Sequence, residues 1–287
     1  MKAMAFLLSG MLILSGAVIA SASPYATEVV DYSGKFGNSP YNDPYSVLGK
    51  PSTVFKNSGF STSTGVVKMV EPAYNVSPDG EKLITTLNSG AYITVAFDHD
   101  VYDDPANPYG IDFLVFGNAF FVGSGFVSDS TDASTYKITS GSVFAEPVTV
   151  SVSQDGVNWY TYSSGPYADS YFPTQAYAWN QDLYDSAGNG WTDEEMDFTK
   201  PVDPSLTASD FAGLTLAEAL ELYDGSGGGT GFDLAESGFE WIRYIKVTGY
   251  GGEIDAFADV APVPIPGAIW LLGGGLLGIF KMRGKKA

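Results

Sequence analysis

Cysteine is absent from this chain of 287 residues, and histidine occurs once. Without thiols there is no disulfide framework, no thiolate nucleophile, no zinc–thiolate site and no iron–sulfur cluster. A single histidine also excludes two- and three-histidine metal centres. That residue, His99, stands in Phe97-Asp98-His99-Asp100, and no Gly-x-Ser-x-Gly elbow accompanies it. A lone surface histidine is therefore expected rather than the centre of a Ser–His–Asp triad. Positive charge is scarce as well. Fourteen Lys and Arg face 33 Asp and Glu. Such a balance excludes simple electrostatic attraction to nucleic acid or anionic lipid and leaves divalent cations and neutral ligands as natural partners.

The two ends carry most of the apolar sequence. Lys2 precedes an apolar run from Ala3 to Ile19, and Ala20-Ser21-Ala22 supplies the small-x-small pattern of a signal-peptidase site. Residues 1–22 read as a signal peptide cleaved after Ala22. At the other end, residues 261–287 open on Val263-Pro264-Ile265-Pro266, continue through an apolar run to Phe280, and close on Lys281, Arg283, Lys285 and Lys286. As a helix, Ile265 to Phe280 would span roughly 24 Å, short of the ~30 Å of a bilayer core. Gly273, Gly274 and Gly275 weaken it by about 1 kcal/mol each relative to Ala. The basic end favours the cytoplasmic side. This order of motif, short span and basic end resembles the PEP-CTERM type of sorting tail in its V-P-x-P variant. The resemblance implies a Gram-negative envelope protein handed to an exosortase-type membrane transpeptidase. The plain alternative is a C-terminal anchor helix.

Between the ends lies a body of residues 23–260. Of the 14 basic residues one lies in the leader and four in the tail, so nine face all 33 acids, a net charge of about −24. Short apolar runs alternate with Gly and Pro, which predicts an all-β domain. Ala91–Phe97 alternates at period two, and Ile242–Thr248 and Ile254–Val260 read as closing strands. Val148, Val150 and Val152 share one face of a strand that Asp155-Gly156 turns back as a tight hairpin. Continuing the alternation puts Trp159 in the core with Val157, and Tyr160 and Tyr162 outside. One helix is expected after the capping box Thr215-Leu216-Ala217-Glu218, ending near Gly225. Ser226–Gly231 reads as a flexible linker.

Three stretches together resemble galactose-binding-like, discoidin-like modules: Asp112 through Asn118 to Phe120, the hairpin Val150–Trp159, and Gly231 through Ile242–Val247 to Asp259-Val260. The resemblance implies a jelly-roll β-sandwich with one short inserted helix. Related sequences often carry Glu where this chain has Gly117, which removes a possible carboxylate ligand.

Calcium is the expected ion, since it takes oxygen ligands from Asp, Asn and carbonyls. In Asp185–Met196, Asp185, Asn189, Gly190 and Asp193 match positions 1, 5, 6 and 9 of an EF-hand-type loop, whereas Ala187 and Met196 fail positions 3 and 12. Asp255 and Asp259 form the second candidate, which the resemblance supports. They share a strand face but lie roughly 13 Å apart unless the chain bends. The aromatic run from Trp159 to Trp179 offers sugar-stacking rings or core filler. The expected function is that of a non-enzymatic exported surface protein, a calcium-stabilised carbohydrate-binding or adhesion module whose partner is an extracellular polysaccharide. The alternatives are a structural matrix component without a ligand site and a polysaccharide-degrading enzyme with paired carboxylates.

Overall fold

A computed structural model describes residues 22–57 and 63–260. The leader as far as Ser21, with Ala20, and the tail with Val263, Pro264, Ile265 and Pro266 lie outside the described residues. Within them the chain is a sandwich of antiparallel strands with two α-helices. No helix among the described residues is long and apolar enough to cross a membrane.

Eight strands make the sandwich. In chain order they are β1 (Glu28–Ser33), β2 (Tyr92–Tyr102), β3 (Phe113–Phe116), β4 (Thr149–Ser153), β5 (Tyr160–Thr161), β6 (Thr230–Phe232), β7 (Trp241–Thr248) and β8 (Ala256–Asp259). One sheet runs β1-β2-β7-β4-β5 and the other β6-β3-β8, all antiparallel. Period-two alternation sets the facing. Ile93, Val95, Val150, Val152, Ile245 and Val247 turn inward and meet Phe113, Val115, Phe232 and Phe257 from the smaller sheet. Phe113 and Phe232 stack at 4.8 Å. The far side of the smaller sheet is covered too, because Leu114, Phe116, Ala256 and Ala258 pack with Phe198.

A second core lies beside the sandwich. It gathers Phe121, Tyr136, Ile138, Phe172, Trp191, Phe211, Leu216 and Tyr223. Two-stranded ribbons, Phe120–Gly123 with Ile138–Phe144 and Tyr177–Trp179 with Trp191–Glu195, enclose it together with α1 (Gln181–Ala187) and α2 (Leu216–Tyr223). The expected helix is α2. Thr215 Oγ1 accepts the Glu218 N–H, and Glu218 accepts the Thr215 N–H, which satisfies two otherwise orphaned donors. Helix α1 is additional to the one expected. Nearby, Lys68 is buried, and its ammonium donates to Val66 O, Glu71 and Asp129.

Two expectations fail here. Ser226–Thr230 is buried, not a flexible linker. A Cβ at Gly229 would come within 2.8 Å of the Phe116 ring, and one at Gly228 would strike the Pro173 carbonyl. These glycines serve close approach of backbone to core. The hairpin register is also inverted on its second arm. Tyr160 pairs with Val152 and Thr161 with Ser151. Tyr162 is therefore 1% exposed in the core and Val157 is 78% exposed. The connection is a longer loop in which Asp155 accepts the N–H groups of both Val157 and Asn158 at 2.8 Å. A one-residue shift across it exchanges the faces of everything after it.

Candidate functional site

The inverted register brings Trp159 to the outer face of the five-stranded sheet. The pairing there places one row across every strand: Asp31 opposite Thr94, Thr94 opposite Lys246, Lys246 opposite Ser151, and Ser151 opposite Thr161. Ser151 and Thr161 satisfy each other through their hydroxyls at 2.8 Å. The other half of the row is left open. Lys246 makes no ion pair among the described residues. Its ammonium lies 4.0 Å from the Trp159 ring centroid and 5.5 Å from that of Tyr92, and two electron-rich ring faces hold it in place. Thr94 is 4% exposed, and its Oγ1 has no hydrogen-bond partner among the described residues. An unsatisfied buried hydroxyl costs about 1–3 kcal/mol.

Thr94 and Lys246 line a cleft of about 230 Å³, with Asp31, Asp155, Trp159 and Tyr244 among its walls. Asp31 accepts the Tyr92 hydroxyl at 2.7 Å, and that bond raises the Tyr92 pKa. Asp155 is held well below the usual carboxylate range by the loop N–H groups it accepts, so it stays ionised. The cleft therefore offers an ammonium donor, two carboxylate acceptors, a hydroxyl and an indole. That set matches the hydroxyls and the apolar ring face of one sugar residue.

A second assembly lies where loops meet the end of the sandwich. Glu146, Asp169 and Glu253 each bring a carboxylate oxygen within 4.8 Å of the others. Asp169 is buried, with Oδ1 accepting the N–H groups of Asn118 and Ala119 and Oδ2 that of Glu253. Burial pushes its pKa up to about 7 against those bonds. Burial and the neighbouring acids push Glu253 up to about 8. Thr86 donates to Glu253 Oε1, while Oε2 is enclosed and meets no N–H or hydroxyl donor among the described residues. No Lys, Arg or His ion-pairs with the three among the described residues. Asp169 also accounts for Gly117: a Cβ there would collide with the Asp169 carboxylate and approach Glu253 O to 2.6 Å. The Asp169 carboxylate, from another loop, thus occupies the space beside Gly117.

The sequence-derived ligands lie elsewhere and are not assembled. Asp185 is on α1, where it accepts from Gln181, so no EF-hand-type loop begins there. Asn189 accepts the Trp191 N–H, and Asp193 is exposed on a ribbon strand. Asp255 is buried, and Ser52 donates to it twice, N–H at 2.9 Å and Oγ at 2.8 Å. Burial raises its pKa to about 7. Asp259 bonds His99 Nε2 at 2.8 Å, so Asp255 and Asp259 serve different partners. His99 is not a free surface residue either. Its Nδ1 meets Asp98 at 2.8 Å, and with both ring nitrogens on carboxylates it has none for a serine. In a third acidic group, Asp103, Asp112 and Asp233, the two oxygens of Asp112 are taken by Asp104 N–H, Asn107 Nδ2 and Leu234 N–H.

No protein-family model matches the chain, and no curated protein matches it.

Proposed function

We propose that this is an exported surface protein whose body binds carbohydrate in the outer-face cleft around Trp159, Lys246 and Thr94. The observation that carries the reading is Thr94 Oγ1, a buried hydroxyl without a partner beside an ammonium held only by aromatic rings. A sugar hydroxyl would satisfy Thr94 once the side chains that enclose its Oγ1 shift, and would accept from Lys246, while Asp31 would accept from a neighbouring hydroxyl. The five-on-three strand arrangement supports a jelly-roll body of the galactose-binding-like kind. Calcium enters at Glu146, Asp169 and Glu253 rather than at Asp255 and Asp259, because that triad gathers acids with no cationic side chain to balance them.

Export rests on the leader, and sorting by an exosortase-type transpeptidase rests on Val263-Pro264-Ile265-Pro266. A glycan array probed with the exported protein, with calcium and with chelator, tests the reading. Binding to a defined set of sugar termini is expected. A blank array under both conditions would favour the structural alternative. That alternative draws on the ribbon bearing exposed Val122 and Phe144, next to the fully exposed Phe126.

A further inference from the structure

Asp98 and His99 lie where β2 leaves register with β7, the pairing jumping from Tyr244↔Ala96 to Ile242↔Val101. Asp98 and His99 carry a chain of polar contacts to both ends of the body. His99 joins Asp98 Oδ1 to Asp259 Oδ2, each at 2.8 Å. The other oxygen of Asp98 accepts the Ser23 N–H at 3.2 Å. Behind Ser23 the chain lies along β8: Asp259 N–H donates to Pro24 O at 2.7 Å, Ala26 N–H to Phe257 O at 3.2 Å, and Tyr25 bridges Ala258. The first residues after the expected signal cut thus run beside the last strand, next to the point where the tail begins.

Resting on the export reading above, we propose that cleavage after Ala22 completes an ion network that fastens the new N-terminus to β8, with the Ser23 α-ammonium paired to Asp98 and relayed through His99 to Asp259. The reaction is ordinary hydrolysis. Water breaks the Ala22–Ser23 peptide bond, Ala22 leaves as a carboxylate, and the Ser23 amine takes a proton. The nitrogen that was a neutral amide donor becomes a cation at the same place. Nearby Asp100 already pairs with Arg243 at 2.6 Å and is no competitor for the ammonium. His99 is raised above its ordinary value, chiefly by its bond to Asp259, and Asp98 is lowered, its bonds to His99 and Ser23 outweighing burial.

Two measurements test this on the exported protein. N-terminal sequencing should read Ser23 first, and any other mature end would overturn both the cut and the network. The proton affinity of the α-amine, followed by the pH dependence of its chemical labelling, should exceed that of an ordinary N-terminus roughly threefold, as expected of an exposed ion pair. The excess should vanish in Asp98→Asn and return in Asp98→Glu. A chain that begins at Ser23 with an ordinary amine, unchanged by Asp98→Asn, would overturn the network and leave the export reading standing.

Discussion

The same five strands make both faces of the larger sheet, yet the two faces follow opposite rules. Inside, Val and Ile alternate and pack against Phe113, Val115, Phe232 and Phe257 of the smaller sheet. Outside, one row of Asp31, Thr94, Lys246, Ser151 and Thr161 crosses the sheet, with Trp159 and Tyr92 leaning over its middle. The inner face is closed, since all its side chains find partners of their own kind. The outer face is satisfied at its Ser151–Thr161 end, whereas among the described residues Thr94 Oγ1 has no hydrogen-bond partner and Lys246 no ion pair.

The contrast is broken most directly at the two arms of one hairpin. Tyr162→Ala should cost about 3–5 kcal/mol, the range for emptying a large aromatic core site. It would remove ring contacts to Phe113 and Phe232 and the hydroxyl bond to Asp233 O. Trp159→Ala should cost about 1 kcal/mol or less, the scale of one exposed cation–π contact. Chemical denaturation of the two variants checks the order, and a larger loss at Trp159 would mean that the faces are misassigned.

Between these extremes lies the acidic group of Glu146, Asp169 and Glu253. Calcium at a hundredfold excess over its Kd should stabilise the protein by about 2.7 kcal/mol, and Glu253→Gln should remove most of that gain. The pH dependence sharpens the point. Asp169 and Asp255, raised to about 7, and Glu253, raised to about 8, bind protons more tightly folded than unfolded. Their contribution is fully present below the ordinary carboxylate range and is lost as pH rises through 7 to 8. Without calcium, melting temperature should fall between pH 5 and pH 8. With calcium the slope should flatten, because the ion replaces the protons at Asp169 and Glu253. Identical melting curves with calcium and with chelator would remove the ion from the account.

The smallest stability effect is expected at Thr94. Thr94→Val keeps the shape and deletes the orphaned hydroxyl, so the free protein should be unchanged or up to about 1 kcal/mol more stable. A destabilised valine variant in thermal melts would mean that Thr94 has a structural partner.

Much of the sandwich was legible because buried strands write a period-two signature. Val148–Val152, Ala91–Phe97 and Ile242–Thr248 all stand in the larger sheet where alternation puts them, and the capping box at Thr215 located α2. The second arm of the hairpin was misread because Asp155-Gly156 suggested a two-residue turn. Asp155 instead binds two later N–H groups, and the longer loop shifted the parity of Trp159, Tyr160 and Tyr162. The triad was illegible for a different reason. Glu146, Asp169 and Glu253 come from three loops with no common spacing, and only the fold puts them within reach of one another. Asp255 and Asp259 drew attention by their spacing on one segment, but Ser52 and His99, far off in sequence, claim them separately. The glycines from Gly227 to Gly229 look like a linker in composition, and only the rings and carbonyls packed against them reveal the close approach they permit.

The central claim is that the open half of the outer row is a sugar site. Its most direct test is the affinity of the best array ligand for the unaltered protein and for Thr94→Val, Trp159→Ala and Tyr171→Ala, the last altering an exposed aromatic in a separate groove. Binding should weaken at least about tenfold in the first two variants, the loss of roughly 1.4 kcal/mol that one well-placed polar or stacking contact supplies. Tyr171→Ala should bind as the unaltered protein does. Affinity that survives Thr94→Val and Trp159→Ala but collapses in Tyr171→Ala would contradict the claim and move the site off the sheet.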